Sequence, residues 1–179
     1  IKKYYLENLY DLLDLITKKP IDKNFKFPIN KDIEIKLKKI FKKNVNYIGI
    51  APGAGEKNKI WPIKNFIKLS NYLKDRGFCL VFYLGPDEKY YQHIFKNNFK
   101  EAIFLEDDPL LKEYNNIEII MVSTKFLKFA ISNDSGVSHM LSTNHCPLIK
   151  LFGPKDSKKF TPKMNNLITI SASEINSIN

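Results

Sequence analysis

Residues 129–139 read Phe-Ala-Ile-Ser-Asn-Asp-Ser-Gly-Val-Ser-His, and this stretch carries the pattern that decides the fold. Its first half is a short apolar run, which predicts a buried strand. Its second half turns at Asp134 and Ser135 into a helix that runs through His139 and Leu141. Apolar runs of the same kind recur on both sides of it, separated by amphipathic stretches. Strands that alternate with helices predict an α/β fold, a parallel sheet with helices on both faces.

The predicted strands are short, continuous apolar runs. They fall at residues 47–51, 78–84, 102–105, 129–132, 148–152 and 167–170. Continuous apolar runs are typical of strands that are buried on both faces, as in a Rossmann-like sheet. Between them, a helix is predicted from Pro62 to a stop at Gly77, since proline suits the first helical turn and glycine the C-terminal stop. Further helices are predicted at residues 87–96 and 117–125, and a short one after Ala172.

Residues 1–44 have a different pattern of apolar residues, without the short continuous runs that predict strands. Apolar side chains three and four residues apart predict a helix from Tyr4 to Ile16, and a Lys-rich stretch with two prolines follows. A second amphipathic helix is predicted from Ile33 to Phe41. We therefore interpret 1–44 as an interdomain helix and linker region and 45–179 as the folded domain. Because the chain starts with isoleucine, we expect it to begin inside a longer protein.

The formal net charge of +10 raises the question of a nucleic-acid partner. Arg76 is the only arginine, however, and arginine is the side chain best suited to reading base edges and stacking on bases. We therefore expect no nucleic acid and interpret the lysines as a solvated surface. An acidic membrane surface and a phosphorylated substrate stay open as alternatives.

Several other classes are disfavoured by composition. Cys79 and Cys146 sit in or beside apolar runs and are predicted to be buried free thiols, which suits a reducing, cytoplasmic compartment. No Cys/His spacing is typical of a metal site, so we expect no metal. No apolar run approaches the ~20 residues of a membrane span. His93 and His145 have no evident carboxylate partner, which disfavours a Ser/His/Asp hydrolase.

Ligands of open parallel sheets bind at the carboxyl ends of the strands, where this chain carries three polar or Gly-rich loops. In the third, Asp134 or Ser135 can cap the following helix, and Gly136 lets a ligand approach the backbone. The helix N-terminus favours a phosphate, and His139 can donate a hydrogen bond to it or to a sugar hydroxyl. An ordinary helix cap beside a half-buried histidine is the alternative.

The other two loops carry weaker signals. Residues 52–59 read Pro-Gly-Ala-Gly-Glu-Lys-Asn-Lys, which is not a Walker loop but has small residues beside Lys57 and Lys59 that can neutralise a diphosphate. A plain turn is the alternative. In the loop at 85–88, a carboxylate of Asp87 or Glu88 can bind a ribose or sugar hydroxyl, or can cap the next helix, and capping is the favoured interpretation.

Three motifs in these loops resemble the ADP-heptose:lipopolysaccharide heptosyltransferases, glycosyltransferase family 9. The resemblance spans about residues 47–162 and lies in the C-terminal domain of that family. The motifs are Pro-Gly-Ala-Gly at 52–55 followed by Lys-Ile-Trp-Pro at 59–62, Asn-Asp-Ser-Gly-Val-Ser-His at 133–139, and Leu-Phe-Gly-Pro-Lys-Asp at 151–156. The helix near the N-terminus is similar to the segment that joins the family's two domains.

The resemblance implies the donor-binding half of a GT-B glycosyltransferase, whose N-terminal acceptor domain is not in this chain. Residues at three loops would then bind the nucleotide-sugar donor, which is expected to be ADP-heptose: Gly53, Ala54, Gly55, Lys59, Glu88, Asp134, Ser135, Gly136 and His139. Members with Thr-Thr in the first loop differ from this chain, where Ala54 and Gly55 offer only backbone amides.

The implied reaction transfers heptose, or a related sugar, to lipopolysaccharide core or another surface glycan. Lys59 and the helix N-terminus at 135–137 would stabilise the departing ADP, with no metal and no cofactor. The catalytic base is expected in the N-terminal domain, so the chain alone is expected to be inactive. The expected location is the cytoplasm, at the inner face of the membrane. A GT-B domain for a different nucleotide sugar and a basic, non-enzymatic binding module are the alternatives.

Overall fold

The structure, a computed structural model, describes residues 5–18, 28–85, 88–161 and 165–178. Its helices are α1 (Tyr5–Thr17), α2 (Lys31–Ile40), α3 (Ile63–Lys74), α4 (Lys89–Asn98), α5 (Asn116–Ser123), α6 (Gly136–Leu141) and α7 (Ser157–Phe160). Its strands are β1 (Tyr47–Ala51), β2 (Cys79–Phe82), β3 (Ile103–Phe104), β4 (Leu127–Asn133), β5 (Leu148–Phe152) and β6 (Leu167–Ser171). Short 3-10 turns connect several of them.

The six strands form one sheet in the order β3-β2-β1-β4-β5-β6, and every neighbouring pair is parallel. From β1 the chain first adds strands on one side of the sheet (β2, β3) and then on the other side (β4, β5, β6). In a doubly wound sheet, this switch places a crevice at the carboxyl ends of β1 and β4. The predicted Rossmann-like α/β fold is confirmed. Because all strands run the same way, the loops that follow β1, β2 and β4 lie along one edge.

Each face of the sheet carries its own hydrophobic core. One core is formed with α3 and α4 and contains Trp61, Phe66 and Phe95, while the other is formed with α2, α5 and α6 and contains Ile33 and Leu141. Helices therefore cover both faces, as the apolar strands predict.

Helix α2 belongs to the second of these cores. Ile33 and Leu37 are completely buried and Phe41 nearly so, because their spacing of four places all three on one face of the helix. Asn30 caps this helix through its side-chain oxygen, which accepts from the amides of Asp32 and Ile33. The predicted boundary between a linker region at residues 1–44 and a folded domain at residues 45–179 stays a prediction.

Element boundaries differ from the prediction mainly at β2 and β4. Strand β4 begins at Leu127, two residues earlier than predicted, because the 3-10 turn after α5 ends just before it. Helix α3 ends at Lys74, and Gly77 takes a φ of 80° in the turn that follows. Cys79 was predicted to be buried but is exposed, because it lies at the very start of β2 where the chain leaves this turn.

Within the residues that the structure describes, no helix is long and apolar enough to cross a membrane.

Candidate functional site

Asn133 joins the ends of β1 and β4. Its side chain is completely buried and donates a hydrogen bond of 2.7 Å to the carbonyl oxygen of Pro52. Its side-chain oxygen accepts one of 3.1 Å from the backbone amide of Trp61. Both ends of the loop that follows β1 are thus tied to the last residue of β4. This clamp decides where the residues between Pro52 and Trp61 can lie.

Asp134, the next residue, lies between two lysines, one in the loop after β1 and one on β5. Its Oδ1 atom is 2.8 Å from Nζ of Lys150 on β5, and its Oδ2 atom is 3.8 Å from Nζ of Lys59. The Asp134 side chain is only 10% exposed. A buried carboxylate is costly unless it is paired, so these two ammonium groups make its burial tolerable.

Lys59 is shared between two carboxylates. Its Nζ atom lies 2.8 Å from Oε1 of Glu56, in addition to its longer contact with Asp134. Lys155, in the loop after β5, lies 3.8 Å from the other oxygen of Glu56. Ion pairing with Lys59 is the main reason why the pKa of Glu56 is lowered. The result is a mixed charge network in which Lys59 is the cation at the centre.

The carboxylate of Glu88 lies between the loop after β1 and the loop after β2. A Cβ atom on Gly53 would overlap its carboxylate, and one on Gly85 would come within 2.5 Å of its Oε2 atom. Glu88 stands at the N-cap position of α4, but its side chain makes no capping hydrogen bond. The favoured interpretation of Glu88 as a cap is therefore wrong, because the carboxylate turns toward the glycines of the strand-end loops. Asp87 lies outside the described residues.

The start of α6 also differs from a simple cap. Ser135 takes the N-cap position, yet its side chain caps nothing and its buried Oγ atom has no hydrogen-bond partner among the described groups. Asp134 does not cap either, because its carboxylate faces the lysines. Gly136 has open space where a side chain would stand. The capping interpretation of this loop is wrong, and the space beside Gly136 stays available to a ligand.

His139 lies one turn further along α6 and remains solvent-accessible. Partial desolvation of its ring lowers its pKa, and repulsion by the Lys150 ammonium lowers it further, while the Asp134 carboxylate acts in the opposite direction. His139 is therefore mainly neutral at pH 7, with one ring nitrogen as donor and one as acceptor. Its titration reports on the charges of its two neighbours.

The Leu-Phe-Gly-Pro motif supports the loop that carries Lys59. A Cβ atom on Gly153 would lie 2.9 Å from the carbonyl oxygen of Asn58 and 3.0 Å from Cβ of Ile175. Only glycine lets the 3-10 turn of residues 57–59 pack this closely on the end of β5. Trp61 closes the same region by donating its indole N–H to the carbonyl oxygen of Ile178 at 2.8 Å.

The structure thus brings the predicted residues of three loops to one sheet edge. Lys59 and Asp134 meet directly, Glu88 meets Gly53, and the remaining predicted residues lie beside them: Ala54, Gly55, Ser135, Gly136 and His139. Their role as donor ligands stays a prediction.

The sequence prediction missed Lys150 and the clamping role of Asn133. The signal for Lys150 was a single charge inside the otherwise apolar strand Leu-Ile-Lys-Leu-Phe, which only a buried partner can explain. Across the described part of the chain, no three His, Cys, Asp or Glu side chains are grouped so that they could hold a metal ion.

The family model of glycosyltransferase family 9 (heptosyltransferase) matches residues 4–179. The chain is similar to lipopolysaccharide heptosyltransferase 2 of Escherichia coli, with 26% identity over 123 residues, which are 66% of this chain and 34% of that protein. The same protein of Salmonella typhimurium matches with the same identity and coverage. The chain therefore spans about a third of the length of these curated relatives.

Two solved structures show the same fold. A family 9 glycosyltransferase from Veillonella parvula superposes with a TM-score of 0.75 at 16% identity, over 97% of this chain and 50% of that chain. E. coli heptosyltransferase WaaC, solved with ADP, superposes with a TM-score of 0.69 at 17% identity, over 100% of this chain and 54% of that chain. The chain thus corresponds in fold to one half of these GT-B proteins.

Proposed function

The chain belongs to glycosyltransferase family 9, the heptosyltransferases, and on this premise we propose that it is the donor-binding half of a transferase that uses ADP-heptose. The observation that supports this most directly is the meeting of Lys59 and Asp134, from two loops that follow neighbouring parallel strands. A cation beside loops of small residues at the carboxyl edge of such a sheet suits a nucleoside diphosphate.

The diphosphate would lie against Lys59, between the loop after β1 and the start of α6. Gly53, Ala54 and Gly55 offer backbone amides without bulky side chains, and Gly136 leaves open space on the other side. Among the described residues, the hydroxyl of Ser135 at the same place has no hydrogen-bond partner. The sugar would then reach Asp134 and His139, whose carboxylate and neutral imidazole accept and donate hydrogen bonds to hydroxyl groups.

Glu88 would bind the nucleoside end of the donor. Its carboxylate lies between Gly53 and Gly85, one strand away from Lys59, which is the direction in which a ribose extends from its diphosphate. A carboxylate at this position accepts hydrogen bonds from the two hydroxyls of a ribose, as in other nucleotide-binding α/β folds.

The chemistry assigned to this half is stabilisation of the leaving group. Cleavage of the bond between sugar and phosphate develops negative charge on the departing ADP, and Lys59 stands where it can compensate that charge without a metal. The acceptor hydroxyl also needs a base, which we assign to a part of the enzyme outside this chain. The chain alone would bind donor but would not transfer sugar.

The acceptor proposed is the core of lipopolysaccharide or another surface glycan, by analogy with the curated relatives. Such acceptors are anchored in a membrane, and the net charge of +10 would favour contact with an acidic membrane surface. The proposed location is therefore the cytoplasmic face of the inner membrane. The free cysteines Cys79 and Cys146 are compatible with a reducing compartment.

Calorimetric titration with ADP, UDP and GDP tests this proposal. We expect ADP to bind best and Lys59→Met to weaken its affinity by about tenfold, because a charge-assisted contact with phosphate is lost. Lys68→Met, an exposed lysine on α3, is the matched control and should leave the affinity unchanged. Preference for another nucleotide would replace ADP-heptose by a different donor, and equal affinity of the Lys59 variant would refute the assigned diphosphate site.

A further inference from the structure

Lys150 is a lysine in the interior of the protein. It lies in the middle of β5, its side chain is 1% exposed, and it is among the largest fully buried side chains of the described residues. It pairs in register with Ser132 of β4, which in turn pairs with Ala51 of β1. Small residues along this rung leave room for the long side chain to extend beneath the site.

The ammonium group of Lys150 has few partners. Asp134 provides the only carboxylate within ion-pair distance of it among the residues that the structure describes, with Oδ1 at 2.8 Å. No hydrogen bond of good geometry reaches this nitrogen from the described groups, so its contact with Asp134 is a close ion pair. The ring of Phe152 lies 4.9 Å from the same nitrogen and adds a cation–π contact. Burial lowers the pKa of Lys150, while pairing with Asp134 opposes that change.

The position of Lys150 matters for Lys59. A diphosphate that enters the site needs a cation, but Lys59 is engaged with Glu56 and Asp134. If Lys59 turns away to the ligand, the carboxylate of Asp134 would be left beside the negative phosphates, which is strongly unfavourable because this carboxylate is largely shielded from water. Lys150 can hold Asp134 from beneath, and its burial prevents direct contact with the ligand.

We propose that Lys150 is a positioning residue that serves as the internal counter-ion of Asp134 and thereby frees Lys59 to bind the diphosphate of the donor. This inference rests on the proposed function, since it assigns a role in donor binding. Its two parts are separable: the ion pair with Asp134 exists without ligand, and the effect on Lys59 appears only when a diphosphate binds.

The ligand-free part is tested by NMR titration of His139, the ring that senses Lys150. Lys150→Met removes the charge and keeps the length of the side chain, so we expect the pKa of His139 to rise, because a repulsive cation is gone. His139→Gln assigns the signal among the three histidines. Lys128→Met, an exposed lysine on β4, is the control. An unchanged pKa of His139 in the Lys150 variant would overturn the inference.

The ligand-bound part is tested by calorimetry with ADP on four proteins. We expect Lys150→Met to weaken ADP binding by about tenfold, and by less than about twofold when Asp134→Asn is already present, because the neutral amide needs no counter-ion. Equal losses in both backgrounds would mean that Lys150 only fills space, and would contradict the proposal. Circular dichroism confirms that each variant is folded. If the unsubstituted protein binds no ADP, the proposed function fails, while the titration of His139 still decides whether Lys150 is the counter-ion.

Discussion

Asp134 shows how single side chains acquire their properties from neighbours that are distant in sequence. The sequence motif predicted a helix cap or a donor ligand. The cap is wrong, because the carboxylate pairs with Lys59 from the loop after β1 and with Lys150 from β5. The ligand role stays a prediction. Glu88 likewise stands at the N-cap position of α4, but its side chain faces Gly53 and does not cap the helix. In both cases the carboxylate faces another loop instead of making the local capping bond, and Asp134 gains two charged partners there.

Glu106 gives the clearest pH dependence at the level of one side chain. It follows β3, and burial raises its pKa to about 7, with Asp107 adding to the rise and Lys96 and Gln92 opposing it. The folded state therefore holds this proton more tightly than the unfolded state, where the pKa is near 4.5. The stabilisation that this carboxyl contributes is complete below pH 4.5 and is lost as the pH rises through about 7.

We expect Glu106→Gln to raise the free energy of unfolding at pH 8 by about 2 kcal/mol and to change it little at pH 4. Urea unfolding at the two pH values measures this. Glu101→Gln, an exposed carboxylate before β3, serves as control and should leave the pH dependence as it is. If the Glu106 variant and the unsubstituted protein lose stability in parallel between pH 4 and 8, burial of the carboxyl is not the cause.

Strands and loops are held together at this edge by a few contacts that involve the backbone. Asn133 ties both ends of one loop to β4, and Gly153 allows the turn of residues 57–59 to pack on β5. Neither residue touches the proposed diphosphate position. Both residues help to decide where Lys59 lies, because they fix the loop that carries it.

For Asn133→Ala we expect a loss of about 2–3 kcal/mol in the free energy of unfolding, since two buried backbone groups lose their partners. Urea unfolding measures the loss. Asn71→Ala, at an exposed position of α3, is the matched control and should change stability by no more than about 0.5 kcal/mol. A small effect at Asn133 would mean that water replaces the side chain without cost.

Gly153→Ala should destabilise the protein by about 1–3 kcal/mol, because the added methyl group meets the backbone of Asn58 and the side chain of Ile175. Gly136→Ala is the comparison, since open space surrounds that residue and alanine favours a helix by up to ~1 kcal/mol. Thermal unfolding distinguishes the two: opposite signs are expected, and similar values would show that the loop at Asn58 moves aside.

Taken together, the described residues form one sheet with two cores and a polar edge, on a chain with a large excess of lysine. The family match and the superposed structures establish the fold, and the chain spans about half the length of the solved chains it superposes on. Under the proposed function, the excess of lysine could serve two partners, the anionic donor and an acidic membrane surface that carries the acceptor.

Binding to lipid vesicles separates these uses. We expect the protein to bind vesicles that contain anionic lipid at low salt and to be released at 0.5 M salt, where a Debye length of about 4 Å screens surface charges. Neutral vesicles are the control, and duplex DNA is tested in parallel as an alternative polyanion. Equal binding to neutral and anionic vesicles would exclude an electrostatic membrane contact, and salt-steep binding to DNA alone would favour the basic, non-enzymatic module.

Local sequence patterns were sufficient for the kinds of elements and their order along the chain. Strands β1 and β5 coincide with the predicted ranges, the other strands differ at their ends, and alternation with helices implied the parallel sheet. The apolar runs predict strands because a strand that is buried on both faces needs apolar side chains on both. The place of the ligand-binding loops is predictable because all parallel strands have their carboxyl ends at one edge of the sheet. The family motifs, also local, pointed to the same edge.

Tertiary structure alone decided which charges meet. The single charge of Lys150 inside an apolar strand did not identify its partner, and only the register of β4 with β5 brings it beneath Asp134. Asn133 can tie the loop to β4 only because the ends of β1 and β4 are adjacent in the sheet. Cys79 is exposed because of its place at the start of β2. Ion pairs and clamps depend on distances between strands that are far apart in the chain, and pattern within one segment carries no information about such distances.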